Sequence, residues 1–122
     1  MGDIIVRRVY DDGGQVEGTA FLVDGMWPRG VRKEDLERVH WVRDLAPSAE
    51  LRRWFGHRPE RFAEFRRRYR EELDGEADAV RPLLEAARHG PVTLLYAAKD
   101  TEHNNAVVLR EYLRDRLAGQ DG

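Results

Sequence analysis

Asp24, Arg29, Asp100 and His103 carry the chemistry of a site, and they fall in two short polar clusters, each directly behind an apolar run. Phe21-Leu22-Val23 leads into Asp24-Gly25-Met26-Trp27-Pro28-Arg29-Gly30. Val92 to Ala98 leads into Lys99-Asp100-Thr101-Glu102-His103-Asn104-Asn105. A carboxylate behind a strand can act as a general base, orient a histidine or bind a hard metal. Asp44 ends a third apolar stretch, so Asp24, Asp44 and Asp100 would converge if their strands were parallel neighbours. An aspartate so placed equally caps a turn or a helix, and the sequence leaves both readings open. No motif names a metal or a cofactor.

His103 and Asn104 are expected in the first turn of the last helix. Free backbone N–H groups there favour anions, and a histidine exchanges protons near neutral pH. The alternative is a solvent-facing histidine beside a cap. Trp27-Pro28-Arg29-Gly30 joins a flat apolar ring, a rigid turn and a forked cation, which suits stacking and bidentate binding of a phosphate or carboxylate. Equally, Trp27 could fill the core while Arg29 pairs with an aspartate. His57 closes Trp54-Phe55-Gly56-His57, either as an acid/base or as the residue ending a helix.

The elements that must position these residues follow from pattern. Ile4 to Tyr10 and Thr19 to Val23 read as strands, separated by turn chemistry at Asp11-Asp12-Gly13-Gly14. Lys33 to Arg38 suits a short helix, and His40 to Leu45 a third strand ending near Asp44. Ser48 is a good N-cap for a helix running to about Phe55. Pro59 suits a first helical position. Phe62, Phe65, Tyr69 and Leu73 recur at spacings of three and four, giving one apolar helix face. Ala77, Val80, Leu84 and Ala87 mark a further helix, with Pro82 implying a late start or a kink. Val92 to Ala98 hardly alternates and reads as a strand buried on both faces. Ala106, Leu109, Leu113 and Leu117 form the inner stripe of a last helix capped by Asp100 or Thr101. The expected architecture is α/β: a small, mainly parallel sheet of about four strands covered by helices, in one domain over residues 1–122.

A chain of 122 residues buries roughly two-thirds of its unfolded surface and needs no staple. It has no cysteine, which excludes disulfides, thiolate zinc sites and a cysteine nucleophile. No charged-then-apolar leader opens it, and no apolar run approaches the ~20 residues of a membrane span. The expectation is a cytoplasmic protein without a membrane partner. Net charge is only −2, yet residues 52–70 hold eight arginines and two glutamates. Such a run could contact phosphates, but Glu64→Arg68, Arg67→Glu71 and Arg68→Glu72 are helix-spaced pairs that favour a salt-bridged face. Walker, G-x-G-x-x-G, G-x-S-x-G and H-E-x-x-H patterns are all absent.

Four ordered blocks, V-D-G-M-W-P-R-G, D-L-A-P-S, W-F-G-H-x-P-E-R-F and L-L-Y-A-A-K-D-x-E-H-N-N-A, together resemble the YeaO-like family of small bacterial proteins, a domain-of-unknown-function family. The resemblance runs from about Val6 to Leu117. It implies that the family's recurrent polar positions fall on Asp24, Arg29, Asp44, His57, Asp100, His103 and Asn104. Longer relatives look to carry a cysteine-containing motif after the last strand, where this chain has His103-Asn104-Asn105. Rhodanese-like or thiol-phosphatase-like chemistry therefore does not carry over.

The leading expectation is a site for a small anionic or phosphorylated ligand at the carboxyl edge of the sheet. Asp24, Trp27, Arg29, Asp44 and Asn104 would bind. Should it catalyse, hydrolysis or group transfer would use His103 or His57 as acid/base, with Asp100 positioning. The other readings are a nucleic-acid-binding module using the arginine-rich helix and a non-catalytic protein-interaction domain. Oligomeric state is left open.

Overall fold

Four parallel strands form one sheet in the order β1-β4-β2-β3, with β1 at Ile4–Arg8, β2 at Thr19–Leu22, β3 at Val39–Trp41 and β4 at Val92–Tyr96. The structure, a computed structural model, describes residues 2–11 and 16–120. The turn expected at Asp11-Asp12-Gly13-Gly14 therefore lies, beyond Asp11, outside the described residues. All five residues of β4 are buried, as its lack of alternation predicts for a strand covered on both faces. Ile4 to Arg8 pairs with Val92 to Tyr96 on one side of it, and Thr19 to Leu22 pairs with Val92 to Leu95 on the other.

The two faces are covered differently. Helices α1 (Ala49–Phe55), α2 (Phe62–Asp74), α3 (Ala77–His89) and α4 (Asn105–Gln120) share one core with Phe21, Val92, Leu94 and Tyr96. The opposite face carries Val9, Leu22 and Leu95, against which Leu36, Trp27, Val31 and Val39 pack. A loop thus stands where a helix would ordinarily lie. Its only regular piece is a 3-10 turn at Lys33–Leu36, within the short helix read at residues 33–38.

Local chemistry sets the helix ends. The Ser48 hydroxyl accepts from Leu51 N–H at 3.1 Å and donates to Glu72 at 2.7 Å, so one side chain caps α1 and ties it to α2. Gly56 ends α1 in the left-handed conformation, φ 55°, which its missing Cβ permits. Helix α3 runs through Pro82, four residues beyond Asp78 in its first turn. At that depth the ring removes one hydrogen bond without ending the helix.

The third strand is shorter than its apolar pattern suggests. It stops at Trp41, and residues 43–45 form a 3-10 turn in which Ala46 N–H bonds Arg43 O. The buried Tyr69 hydroxyl donates to Leu45 O, a contact from α2 that pulls the chain out of the sheet. Asp44 is exposed on this turn instead of ending a strand.

Thr93 is a polar residue at the sheet centre, fully buried. Its hydroxyl accepts from Glu17 N–H at 3.0 Å and donates to Glu17 O at 2.9 Å, holding the chain that enters β2. Thr93→Val keeps the shape and removes both bonds. It should cost about 1–2 kcal/mol, read as a lower urea midpoint with an unchanged slope. An unchanged midpoint would show that Glu17 is satisfied by water instead.

Candidate functional site

Strands β2 and β4 are parallel neighbours whose continuations part company. After β2 the chain passes into the loop covering the face of Leu36, and after β4 it leads to α4 on the helical face. A crevice opens beyond the carboxyl ends of strands where connections diverge in this way. Here it is a cleft of about 510 Å³, within the range of small-molecule sites. Residues 24–29, 97–98 and 103–105 line it, joined by Arg52, Phe55 and His57 from α1 and its end.

Asp24 fastens the two strand exits together. One carboxylate oxygen accepts from Ala97 N–H at 2.9 Å, and the other accepts from Asn105 Nδ2 at 3.1 Å. Asn105 Nδ2 also reaches Val23 O at 2.9 Å. Burial pushes the Asp24 pKa above the usual carboxylate range, opposed incompletely by the Asn105 and Ala97 hydrogen bonds and by the nearby Arg52 charge.

Residues 100–104 form a cap instead of the first turn of a helix. Asp100 Oδ1 accepts from the N–H groups of Glu102 and His103, each at 2.9 Å, and Oδ2 meets His103 Nδ1 at 2.9 Å. These backbone donors, and then His103, hold the Asp100 pKa below its ordinary value. The expectation that His103 and Asn104 lie within the last helix is thereby corrected, because α4 begins at Asn105. Asn104 is its N-cap: Oδ1 accepts from Val107 N–H at 3.0 Å and Nδ2 donates to Asp100 O at 2.9 Å. Asn104 is buried with its amide so engaged. His103 stands edge-on to Phe62, ring centroids 5.1 Å apart, and its Nε2 has no hydrogen bond among the described residues.

Trp27 is half-buried between the loop and the cleft. Its Nε1 donates to Val31 O at 2.6 Å and its ring meets Trp41 edge-on at 5.3 Å, while its body still lines the cleft. Arg29 is exposed at the rim, and its side chain has no hydrogen bond or ion pair among the described residues. Arg52 likewise has no ion pair, acting on Asp24 only through space. His57, at the cleft, has φ 58°, the one positive φ outside glycine among the described residues. A β-carbon there is uncomfortable.

The cleft therefore gathers Asp24, Trp27, Arg29, His57, His103 and Asn104, with Asp100 behind His103. Asp44 is not among its lining residues. Among the described residues no three His, Cys, Asp or Glu side chains group closely enough to hold a metal, so the three aspartates do not converge. Sequence reasoning missed Arg52, Asn105 and Tyr10. Asn105 was visible as one more polar residue of the second cluster, but its reach to Asp24 crosses 81 positions. The arginines of α2 are occupied: Arg67 and Arg68 pair with Glu64, and Arg66 and Arg70 with Glu111. No helix among the described residues is long and apolar enough to cross a membrane.

Comparison with known proteins agrees with this layout only at the level of family. The family described as "Inactive DUF488-N3 subclade" matches residues 3–122. The chain is 41% identical to the uncharacterized protein YeaO of Escherichia coli (strain K12) over 112 residues, 92% of this chain and 97% of that protein. It is 42% identical to uncharacterized proteins of Mycobacterium bovis and Mycobacterium tuberculosis over 111 residues, 91% of this chain and 93% of each. No solved structure matches.

The raised Asp24 pKa fixes a sign. Between its unfolded value of 3.8 and its higher folded value, the folded state holds a proton that the unfolded state has lost. This contribution to stability is therefore lost as pH rises through that window. Asp100, shifted the other way, acts below 3.8. Asp24→Asn removes the titration, so the stability of the native protein relative to the variant should decline as pH rises above 3.8 and through the folded-state pKa. Urea midpoints across that range measure it, and a difference that stays flat or rises with pH would contradict a burial-driven shift.

Proposed function

The chain belongs to the DUF488 family, in its YeaO-like branch, and within that family we propose that the strand-end cleft binds a small organic anion without turning it over. The observation that carries this reading is the distribution of guanidinium groups. The arginines of α2 face carboxylates, whereas Arg29 and Arg52 at the cleft have none within ion-pair distance among the described residues. A planar fork with five donors fits a phosphate or carboxylate. Met26, Trp27, Pro28, Phe55 and Phe65 supply an apolar wall, which suits an anionic group carried on an apolar body. The subclade's description as inactive supports binding without catalysis. The same engagement of the α2 arginines speaks against nucleic acid as the ligand.

One observation favours a second reading, hydrolysis or group transfer. The Asp100–His103 pair at 2.9 Å has the form of a carboxylate orienting an imidazole for acid/base work. The lining residues include no serine, threonine or cysteine, so the attacking group would be water or one of Tyr10, Asp24 and the two histidines.

Calorimetric titration with phenyl phosphate and with nucleoside monophosphates tests the first reading. Arg29→Ala and Arg52→Ala should each weaken binding about 10- to 100-fold, the usual loss for a hydrogen bond to a charged group. His103→Ala should leave affinity within a few-fold. Unchanged affinity in both arginine variants would end the proposal, and product formation abolished by His103→Ala would replace it with the catalytic one.

A further inference from the structure

A second cavity, about 390 Å³, opens between the carboxyl end of β1 and the start of α4. Arg7, Arg8 and Arg110 line it, with Asp11 as its one carboxylate among the described residues, and Tyr96 and Thr101 add hydroxyl groups. Arg8 is held in place: its Nε donates to Ala98 O at 3.0 Å, its guanidinium lies 4.8 Å from the centre of the Tyr10 ring, and Asp11 is 3.8 Å away. Arg110 is different. It is half-buried, yet it has no hydrogen bond or ion pair among the described residues. Burial, and then the like charge of Arg114 one helical turn on, lower its pKa.

A half-buried guanidinium beside a like charge and without a counterion costs stability. Helix α4 could carry a neutral residue there at no loss to its packing, since long apolar side chains fill the same space as the arginine stem. We propose that this cavity is a second anion site, in which Arg110 and Arg8 take the phosphate group of a small ligand, with Thr101 as a further donor. Arg8 and Tyr10 stand between the two cavities, since Tyr10 and Ala98 line the first. The second site is thus a separate place with its own cation, and it stands or falls independently of Arg29 and Arg52.

Arg110→Met tests it, using the full chain, inorganic phosphate and phenyl phosphate, each against chloride at matched ionic strength. The variants are built on the Arg29→Ala, Arg52→Ala background, so that the first cleft does not contribute. Without added anion, Arg110→Met should melt at or above its parent. With phosphate, the parent's rise in melting temperature over chloride, expected from mass action, should be lost in Arg110→Met, with affinity at least about tenfold weaker. Amide shifts of Thr101 and Val107 on phosphate titration of the otherwise native chain should vanish in Arg110→Met, a readout that does not require the double background. A rise with both anions assigns a site for the phosphate group itself, and a rise with phenyl phosphate alone assigns a site that needs the organic body. The proposal is overturned if the background protein gains nothing over chloride from either anion, if Arg110→Met keeps the gain, or if Arg110→Met melts well below its parent without anion, which would make Arg110 structural.

Discussion

The parallel pairing of β2 with β4 sets where the strand-end cleft opens. Parallel register brings both strands to their carboxyl ends on one edge, and the buried alternation of Phe21 and Val23 against Leu22 commits the two faces to different cores. The chain leaving β2 must then cover the bare face, while the chain leaving β4 must return to the helices. Two diverging connections cannot close over the strand ends, and the opening between them exposes backbone N–H groups that need acceptors. Asp24 answers that need. It takes Ala97 N–H and the Asn105 amide at a cost in desolvation, and so ties the two strand exits together beside the cleft.

Charge is partitioned by the same geometry. A net charge of −2 spread over 23 acidic and 21 basic side chains leaves room for nearly complete pairing, and α2 approaches it. Arg70 reaches Asp115 at 2.7 Å across the contact with α4, and Arg67 grips Glu64 and Glu71 on its own helix. Exposed pairs of this kind add little stability each. Their effect is to quiet the field of a helix that would otherwise be a strip of positive charge. At the two cavities Arg29 and Arg110 have no ion pair among the described residues, and Arg52 acts on Asp24 only through space.

The sequence made the elements legible where one local force dominates. The unalternating strand read over Val92 to Ala98, the helical spacing of Phe62, Phe65, Tyr69 and Leu73, and the Ser48 cap each follow from neighbours in the chain, and the structure has them, the strand ending two residues earlier at Tyr96. The clusters after β2 and β4 were legible for the same reason. Asp44 was not, because the end of β3 is decided by Tyr69 reaching Leu45 from 24 residues away. Asn104 was placed one step too far along: the pattern of α4 marks its apolar stripe but not which polar residue caps it, and Asp100 and Asn104 divide that work. Arg52 escaped notice inside a run of arginines whose neighbours are all alike in composition.

His57 shows how far the site departs from what stability alone would select. Gly56 and His57 both sit in the left-handed region, at φ 55° and 58°. The first is the ordinary glycine end of a helix. The second places a β-branch-free but bulky side chain where glycine would relieve the backbone, a strain of order 1–3 kcal/mol that persists only when the surroundings impose it. Arg58 N–H bonds Phe55 O, and Phe55 stacks on Phe65 with centroids 4.4 Å apart, so the turn is fixed from both sides. Its consequence is to hold an imidazole at the cleft that the imidazole held by Asp100 also lines. A strained backbone, guanidinium groups without ion pairs among the described residues and a desolvated carboxylate thus collect around one opening. Functional surfaces carry such unsatisfied chemistry because a ligand is what completes them.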